Sequence, residues 1–334
     1  EHQDALPVDA TVPGCLLGGL LALVALTVLG WFYFLSAIAR FWLGPSPRQP
    51  AVPVEIAKAV AEGQPSISVQ GGGMRYAWTT GALQYIFEEF DCEHAVFAGT
   101  SSGLFPIMPI INGTQPMHWL ERDWPKCVAH WKGRRLGIFL DGCSFLWRLW
   151  VGFLREDVAD LAKGRLVINA TRLRGLSARP WLLTAFHSKQ QLLQALLAGT
   201  GIPAISLLRF WLRVGDDCCC DGAFTCLAPQ LAAGTVLLSP FRKFQPTGFK
   251  FVIAPTKSKS VRVVAPRAAG GPIGSASAIV NVCFKAPSME ACYTDARRGY
   301  EDARAARETL VAAGWVPISH ALANRFAWPK ECVQ

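Results

Sequence analysis

The chain has 334 residues, 51% of them apolar, with a net charge of +9 and a positive mean hydropathy. That size allows one large domain or two ordinary ones, and the hydropathy argues that part of the chain lies in lipid. Eleven cysteines, an odd number without regular spacing, argue against a disulfide scaffold and for reduced thiols in a cytoplasmic domain; the basic excess has no basic-aromatic motif that would read as nucleic-acid binding.

After an acidic tail (residues 1–11), Val12–Ala39 carries no charge over 28 residues. A bilayer core needs roughly 20 apolar residues, so a single transmembrane helix over 12–40 is expected. Trp31, Phe32, Tyr33, Phe34, Phe41 and Trp42 crowd its C-terminal end as an aromatic belt would. A signal peptide would need a basic start and a shorter apolar core. Residues 1–39 hold three acids and no Lys or Arg, whereas Arg40 and Arg48 follow directly. The positive-inside tendency therefore puts the C-terminal bulk in the cytoplasm, near an anionic leaflet.

Pro45, Pro47, Pro50 and Pro53 stiffen a linker over 41–62, with a short helix starting near Val54. A catalytic domain is expected over 63–316, followed by a tail over 317–334. Its candidate strands are Ser66–Val69, Ala95–Ala98, Leu166–Ala170, Trp181–Phe186, Val236–Ser239 and Phe249–Ala254. Its candidate helices include Tyr76–Phe90, Gln190–Ala198 and the amphipathic Ser288–Ala313. Such alternation implies an α/β fold with a parallel or mixed sheet covered on both faces. Between Met117 and Arg155, tryptophans interleave with Lys and Arg. Leu146–Leu154 fits either a core-packed amphipathic helix or an interfacial segment with arginines on phosphates.

Two glycine-rich turns carry the chemistry. Gly71-Gly72-Gly73-Met74-Arg75 follows Ile67-Ser68-Val69, and Gly99-Thr100-Ser101-Ser102-Gly103 follows Ala95-Val96-Phe97-Ala98. A serine in a G-x-S-x-G frame after a strand reads as a nucleophile elbow, with Ser101 as nucleophile and Gly99 and Gly103 kept small by the sharp turn. Ser102 would serve only in a shifted frame that lacks the preceding glycine. The triple glycine offers bare backbone N–H groups, as an oxyanion hole needs. Together the turns predict acyl transfer on an ester. For the base, His320 is the histidine late enough for a Ser–acid–His order, and Asp221-Gly222-Ala223 offers a carboxylate whose plain alternative is an ordinary turn. Cys218-Cys219-Cys220 with Cys226 lacks the two-residue gap of a zinc knuckle, and no carboxylate cluster suggests calcium, so no metal or other cofactor is expected. Asn112-Gly113-Thr114 and Asn169-Ala170-Thr171 match the glycosylation sequon but are expected to stay bare in a cytoplasmic domain.

Gly71–Arg75 with Gly81-Ala82-Leu83, then Gly99–Gly103, then Asp221-Gly222-Ala223 resembles the patatin-like phospholipase family. Ala170-Thr171-Arg172-Leu173 with Gly175, Ala195–Ala198 before Ile202-Pro203-Ala204, and Gly299–Ala303 resemble further stretches of it. The likeness covers roughly residues 66–312. It implies a three-layer α/β/α domain and a Ser–Asp dyad without histidine. Ser101 would attack the ester, Asp221 would be the base, the amides of Gly71, Gly72 and Gly73 would hold the oxyanion, and Arg75 would add positive potential. The implied activity is a membrane-anchored lipid acyl hydrolase on glycerolipid or phospholipid esters. A transacylase, a catalytically silent lipid-binding scaffold and a His320-dependent esterase are the alternatives. The chain departs from the family at Tyr76, where a glycine is usual and a bulkier oxyanion loop is implied, and at Pro109, which should kink or end the helix after the elbow.

Overall fold

The computed structural model describes residues 28–29, 49–131, 142–175, 177–202, 211–242, 245–256, 287–318 and 328. Apart from Val28 and Leu29, which are helical, the apolar run Val12–Ala39 lies outside the described residues, as does His320. Among the described residues no helix is long and apolar enough to cross a membrane.

The order of elements is α1 (Val54–Ala61), β1 (Ser66–Val69), α2 (Tyr76–Glu89), β2 (Val96–Thr100), α3 (Leu104–Ile111), α4 (Pro116–Arg122), α5 (Trp124–Trp131), α6 (Gly142–Phe153), α7 (Val158–Ala162), β3 (Leu166–Arg174), β4 (Ser177–Leu183), α8 (Lys189–Thr200), β5 (Leu212–Val214), β6 (Asp217–Asp221), β7 (Val236–Leu238), β8 (Phe251–Ile253), α9 (Met289–Ala305) and α10 (Arg307–Ala312). The eight strands among the described residues form one sheet in the order β5-β6-β3-β2-β1-β7-β8, with β4 on the other edge of β3. The pairs β3–β2, β2–β1, β1–β7 and β7–β8 are parallel; the three pairs at the β4, β5 and β6 end are antiparallel. This is an α/β fold on a mostly parallel mixed sheet, compatible with three layers.

Strand alternation sends side chains to both faces. Ile67, Val69, Phe97, Leu166 and Ile168 join α2, α3, α8 and α9 in the larger core. Val96, Ala98, Val167 and Leu182 make a second, smaller core with Ile56 of α1. The segment expected as a linker is thus partly docked. Ile56 is fully buried, and Thr184 Oγ1 donates to Glu55 Oε1 at 2.8 Å. A two-turn helix does not hold in isolation; one buried isoleucine adds about 1.5–3 kcal/mol, and that docking holds α1 on the sheet.

The expected single helix Ser288–Ala313 breaks at Ala306 into α9 and α10. α9 lies across α2 at very short range: a Cβ on Gly81 would fall on the Ala296 carbonyl, and one on Gly299 on the Trp78 carbonyl. Trp78 Nε1 donates to Asp302 Oδ2 at 2.9 Å and Tyr300 Oη to the buried Glu88 Oε2 at 2.7 Å, which ties the crossing together. On α6, Leu146, Leu149, Trp150 and Phe153 are buried, and Trp150 stacks on Trp119 with ring centroids 4.6 Å apart. Of the two readings of Leu146–Leu154, this face takes the core-packed one, while Arg148 and Val151 face outward.

Candidate active site

β3 explains how two residues 120 positions apart meet. β2 pairs parallel with the first half of β3, ending at Thr100 opposite Asn169. β6 pairs antiparallel with the second half of the same edge, ending at Asp221 opposite Ala170. The two strands therefore run head-on, and their C-terminal ends abut at adjacent positions of β3. Ser101 is the next residue after Thr100, so the register delivers its hydroxyl to the Asp221 carboxyl.

Ser101 opens a single 3-10 turn, Ser101–Gly103, that leads into α3. Its φ of +54° makes it the one described non-glycine residue with positive φ. Such a conformation costs on the order of 1–3 kcal/mol and persists only where the surroundings impose it. Here they do. A Cβ on Gly103 would lie 2.5 Å from the Val69 carbonyl oxygen, so only glycine lets α3 start against β1; one on Gly99 would strike Leu104 at 2.5 Å, where α3 folds back over β2. Pro106 falls in the first turn of α3, and the helix ends two residues after Pro109, short as that proline requires.

Asp221 is 1% exposed and its backbone is fixed from both sides. Its N–H donates to Gly201 O at 2.9 Å, and Thr171 Oγ1 donates to its carbonyl at 2.8 Å. The side chain turns back over Gly222, and Oδ1 accepts the Ala223 N–H at 2.8 Å. Gly222 sits on Asn169, where a Cβ would clash with the Asn169 backbone. Burial lifts the carboxyl to about 6, the Ser101 hydroxyl and the Ala223 N–H holding it from rising further. Oδ2 accepts no hydrogen bond of good geometry. The Ser101 hydroxyl is thus close enough to act on the carboxyl without closing a bond to Oδ2. The neighbouring thiols do not compete as nucleophiles: burial pushes Cys219 up to about 12 and Cys220 well above the ordinary thiol value.

The glycine turn leaves the end of β1 beside the elbow. Gly71 is pressed against Ser101: a Cβ there would be 2.7 Å from Ser101 Cβ and 2.9 Å from the Thr100 carbonyl oxygen. Gly72 donates its N–H to Ser102 Oγ at 3.0 Å, so that amide, expected for the oxyanion, is engaged in this resting arrangement. Gly73 has φ +56° and begins the 3-10 turn that ends at Arg75. The Arg75 guanidinium lies over the Phe241 ring at 5.6 Å; burial lowers its pKa and Asp295 nearby supports its charge. Tyr76 does not widen the loop. It is the first residue of α2, and its ring is buried edge-on against Trp124 (4.7 Å) and Phe105 (5.6 Å).

Sequence reasoning missed two residues. Asn169 is fully buried between the strand ends, its Nδ2 donating to Thr100 Oγ1 at 3.0 Å and to Cys226 O at 2.7 Å. An asparagine inside the apolar run Leu166–Ala170 was its available signal. Ser102, dismissed as a nucleophile, is the anchor of the glycine turn. The side chains of both sequon asparagines, Asn112 and Asn169, are buried and hydrogen-bonded. Among the described residues no group of His, Cys, Asp and Glu is placed to hold a metal ion, and the seven described cysteines are unpaired. The resemblance to patatin-like phospholipases stands on this chain's own residues: no protein-family model matches the chain, and no curated protein matches it either.

Proposed function

We propose that this chain is a serine lipid acyl hydrolase with a patatin-like three-layer domain, working through Ser101 and Asp221. The carrying observation is the head-on meeting of β2 and β6 on β3, which sets a strained serine against a buried carboxyl. Ionised Asp221 takes the Ser101 proton as Oγ bonds to the ester carbonyl carbon. The backbone amides of Gly71 and Gly73, with that of Gly72 once its bond to Ser102 opens, receive the oxyanion, with Arg75 adding positive potential. The C–O bond to the alcohol then breaks, and Asp221 returns its proton to the leaving oxygen. Water attacks the acyl-serine next. Asp221 accepts its proton and passes it to Ser101 Oγ as the fatty acid leaves. The 28-residue apolar run Val12–Ala39 supports a single-pass anchor, with the domain on the cytoplasmic side and glycerolipid esters as substrates.

A fluorophosphonate probe and a short-chain ester test the reading on the full chain. Ser101→Ala and Asp221→Asn are each expected to abolish turnover, while His320→Ala leaves it unchanged. Turnover that survives Asp221→Asn and is lost with His320→Ala would replace the dyad by a triad. Absence of both labelling and turnover in the unmodified chain would leave a silent lipid-binding protein.

A further inference from the structure

α4, α5 and α6 border an open groove of about 590 Å³ that contains no residue of the dyad or the glycine turn. One wall carries Arg122, Lys126 and His130, the last two one turn apart on α5; the other carries Arg148 and Gly152, one turn apart on α6. Among the described residues a single acid lines it. Asp123 is 2% exposed and accepts from Lys126 Nζ at 2.6 Å and Arg122 Nε at 3.2 Å. The Arg122 guanidinium also lies over the Phe153 ring at 5.7 Å. Two cations are therefore held in place by a buried carboxylate, yet their side chains remain 64% and 58% exposed to whatever enters. Arg148 is exposed and pairs with no carboxylate among the described residues. Among the described residues three permanent cations face one carboxylate across a concave surface, which suits an anion of one or two charges. Guanidinium groups match phosphate oxygens in shape as well as charge. The groove has room for one, since a Cβ on Gly152 would meet nothing within 4 Å. Val151, next to Gly152, is 41% exposed, and half-buried Trp147 adjoins Arg148. An exposed valine and a half-buried tryptophan beside arginine on one helix fit a bilayer interface better than free solution.

We propose that this groove binds the phosphate headgroup of an anionic glycerolipid at the bilayer surface, separately from the Ser101 site. The test uses the full chain in neutral detergent, with Ser101→Ala to prevent turnover, titrated with dihexanoyl phosphatidic acid by calorimetry. Saturable binding is expected, displaced by inorganic phosphate. It should weaken about 5-fold with Arg148→Gln and again with Lys126→Gln, since each cation near an anionic surface contributes that much. Gly152→Glu should abolish it, because a carboxylate enters the groove while every cation stays; an unchanged thermal melt shows the fold intact. Three results overturn the proposal: affinity unmoved by these variants, equal affinity for dihexanoyl phosphatidylcholine, or inorganic phosphate bound as tightly as the lipid, which marks a soluble-anion site. Fluorophosphonate labelling of chains that retain Ser101 keeps the two readings apart. Loss of headgroup binding with labelling intact removes the groove alone, and binding without labelling removes the hydrolase alone.

Discussion

The two halves of the proposed dyad are held by different forces. Ser101 is fixed by crowding: glycines on three sides admit no side chain, and the serine itself takes a conformation that only such crowding maintains. Asp221 is fixed by hydrogen bonds: its N–H, its carbonyl and one carboxylate oxygen each have a named partner, and Thr171, Thr225 and Asn169 form the polar bed beneath it. A sterically held group is sensitive to volume and indifferent to pH. A group held by burial and hydrogen bonds is the reverse. In the proposed roles a nucleophile would need the first kind of support, since its geometry must not drift, and a base the second, since burial gives it a proton affinity near neutral pH.

The harshest perturbations cut the pair itself. Ser101→Ala and Asp221→Asn should each lower kcat by about 10⁴-fold or more, and the double variant should be little worse than either, because groups that act as a unit lose their effect together. Next comes volume on the serine side. Gly71→Ala introduces a methyl 2.7 Å from Ser101 Cβ, with the Thr100 carbonyl oxygen behind it at 2.9 Å, and neither is a flexible side-chain end. Loss of oxyanion geometry typically costs about 10²–10³ in turnover, so kcat should fall by that factor at every pH while KM moves little. A Gly71→Ala defect that disappears at high pH would show that the two sides are not separable.

The carboxyl side should respond to protons. With Asp221 near 6, kcat/KM is expected to reach half its plateau at about pH 6 and fall about tenfold per pH unit below that, without a histidine limb. Stability should run the other way. The folded pKa lies above the roughly 3.9 of an unfolded aspartate, so the native state holds the proton more tightly. The associated stability is fully present below about pH 4 and lost as pH rises through about 6. Asp221→Asn removes that burden while still accepting the Ala223 N–H. It should therefore unfold at the same temperature as the parent at pH 4, and be more stable by on the order of 2–3 kcal/mol at pH 8. Paired thermal melts at the two pH values check this.

The same contrast decides what could be read from the chain. Steric support is written in glycines, so Gly71–Gly73 and the Gly99–Gly103 elbow were legible, together with the apolar runs of β1, β2, β3 and β7 that precede or flank them. Hydrogen-bonded support is written in residues that also serve as ordinary turns and polar positions. β6 is mostly cysteine between two aspartates, with none of the branched or aromatic residues that mark a strand. Its partner β5 has three residues, and the Gly215-Asp216 pair that joins them, Gly215 at φ +58°, was the one local hairpin signal. Without β6, Asp221 had a family resemblance but no geometry. Asn169 and Thr171 act through partners fifty or more positions away, which no local pattern encodes. A short helix starting near Val54 was expected, but not its docking, which depends on a hollow formed by Val96, Ala98 and Leu182.

The smallest effect expected is also the one that tests whether the two kinds of support meet. Ser102 belongs to the elbow by position, yet it works through a hydrogen bond, accepting the Gly72 N–H at 3.0 Å while only 5% exposed. It is the polar link between the crowded elbow and the oxyanion turn. Ser102→Ala leaves the nucleophile, its φ and its base in place and removes the acceptor from a buried amide, which costs about 1–3 kcal/mol when nothing replaces it. If that amide is anchored so that Gly71 and Gly73 are aimed correctly, kcat should fall roughly 10-fold with KM unchanged, and Ser102→Thr, which keeps the hydroxyl, should recover most of it. If the bond instead withholds the Gly72 amide from the oxyanion, kcat should rise while the melting temperature drops. Either sign, read beside an unaltered half-plateau near pH 6, would place Ser102 with the steric half of the site; a displaced midpoint would place it with the carboxyl.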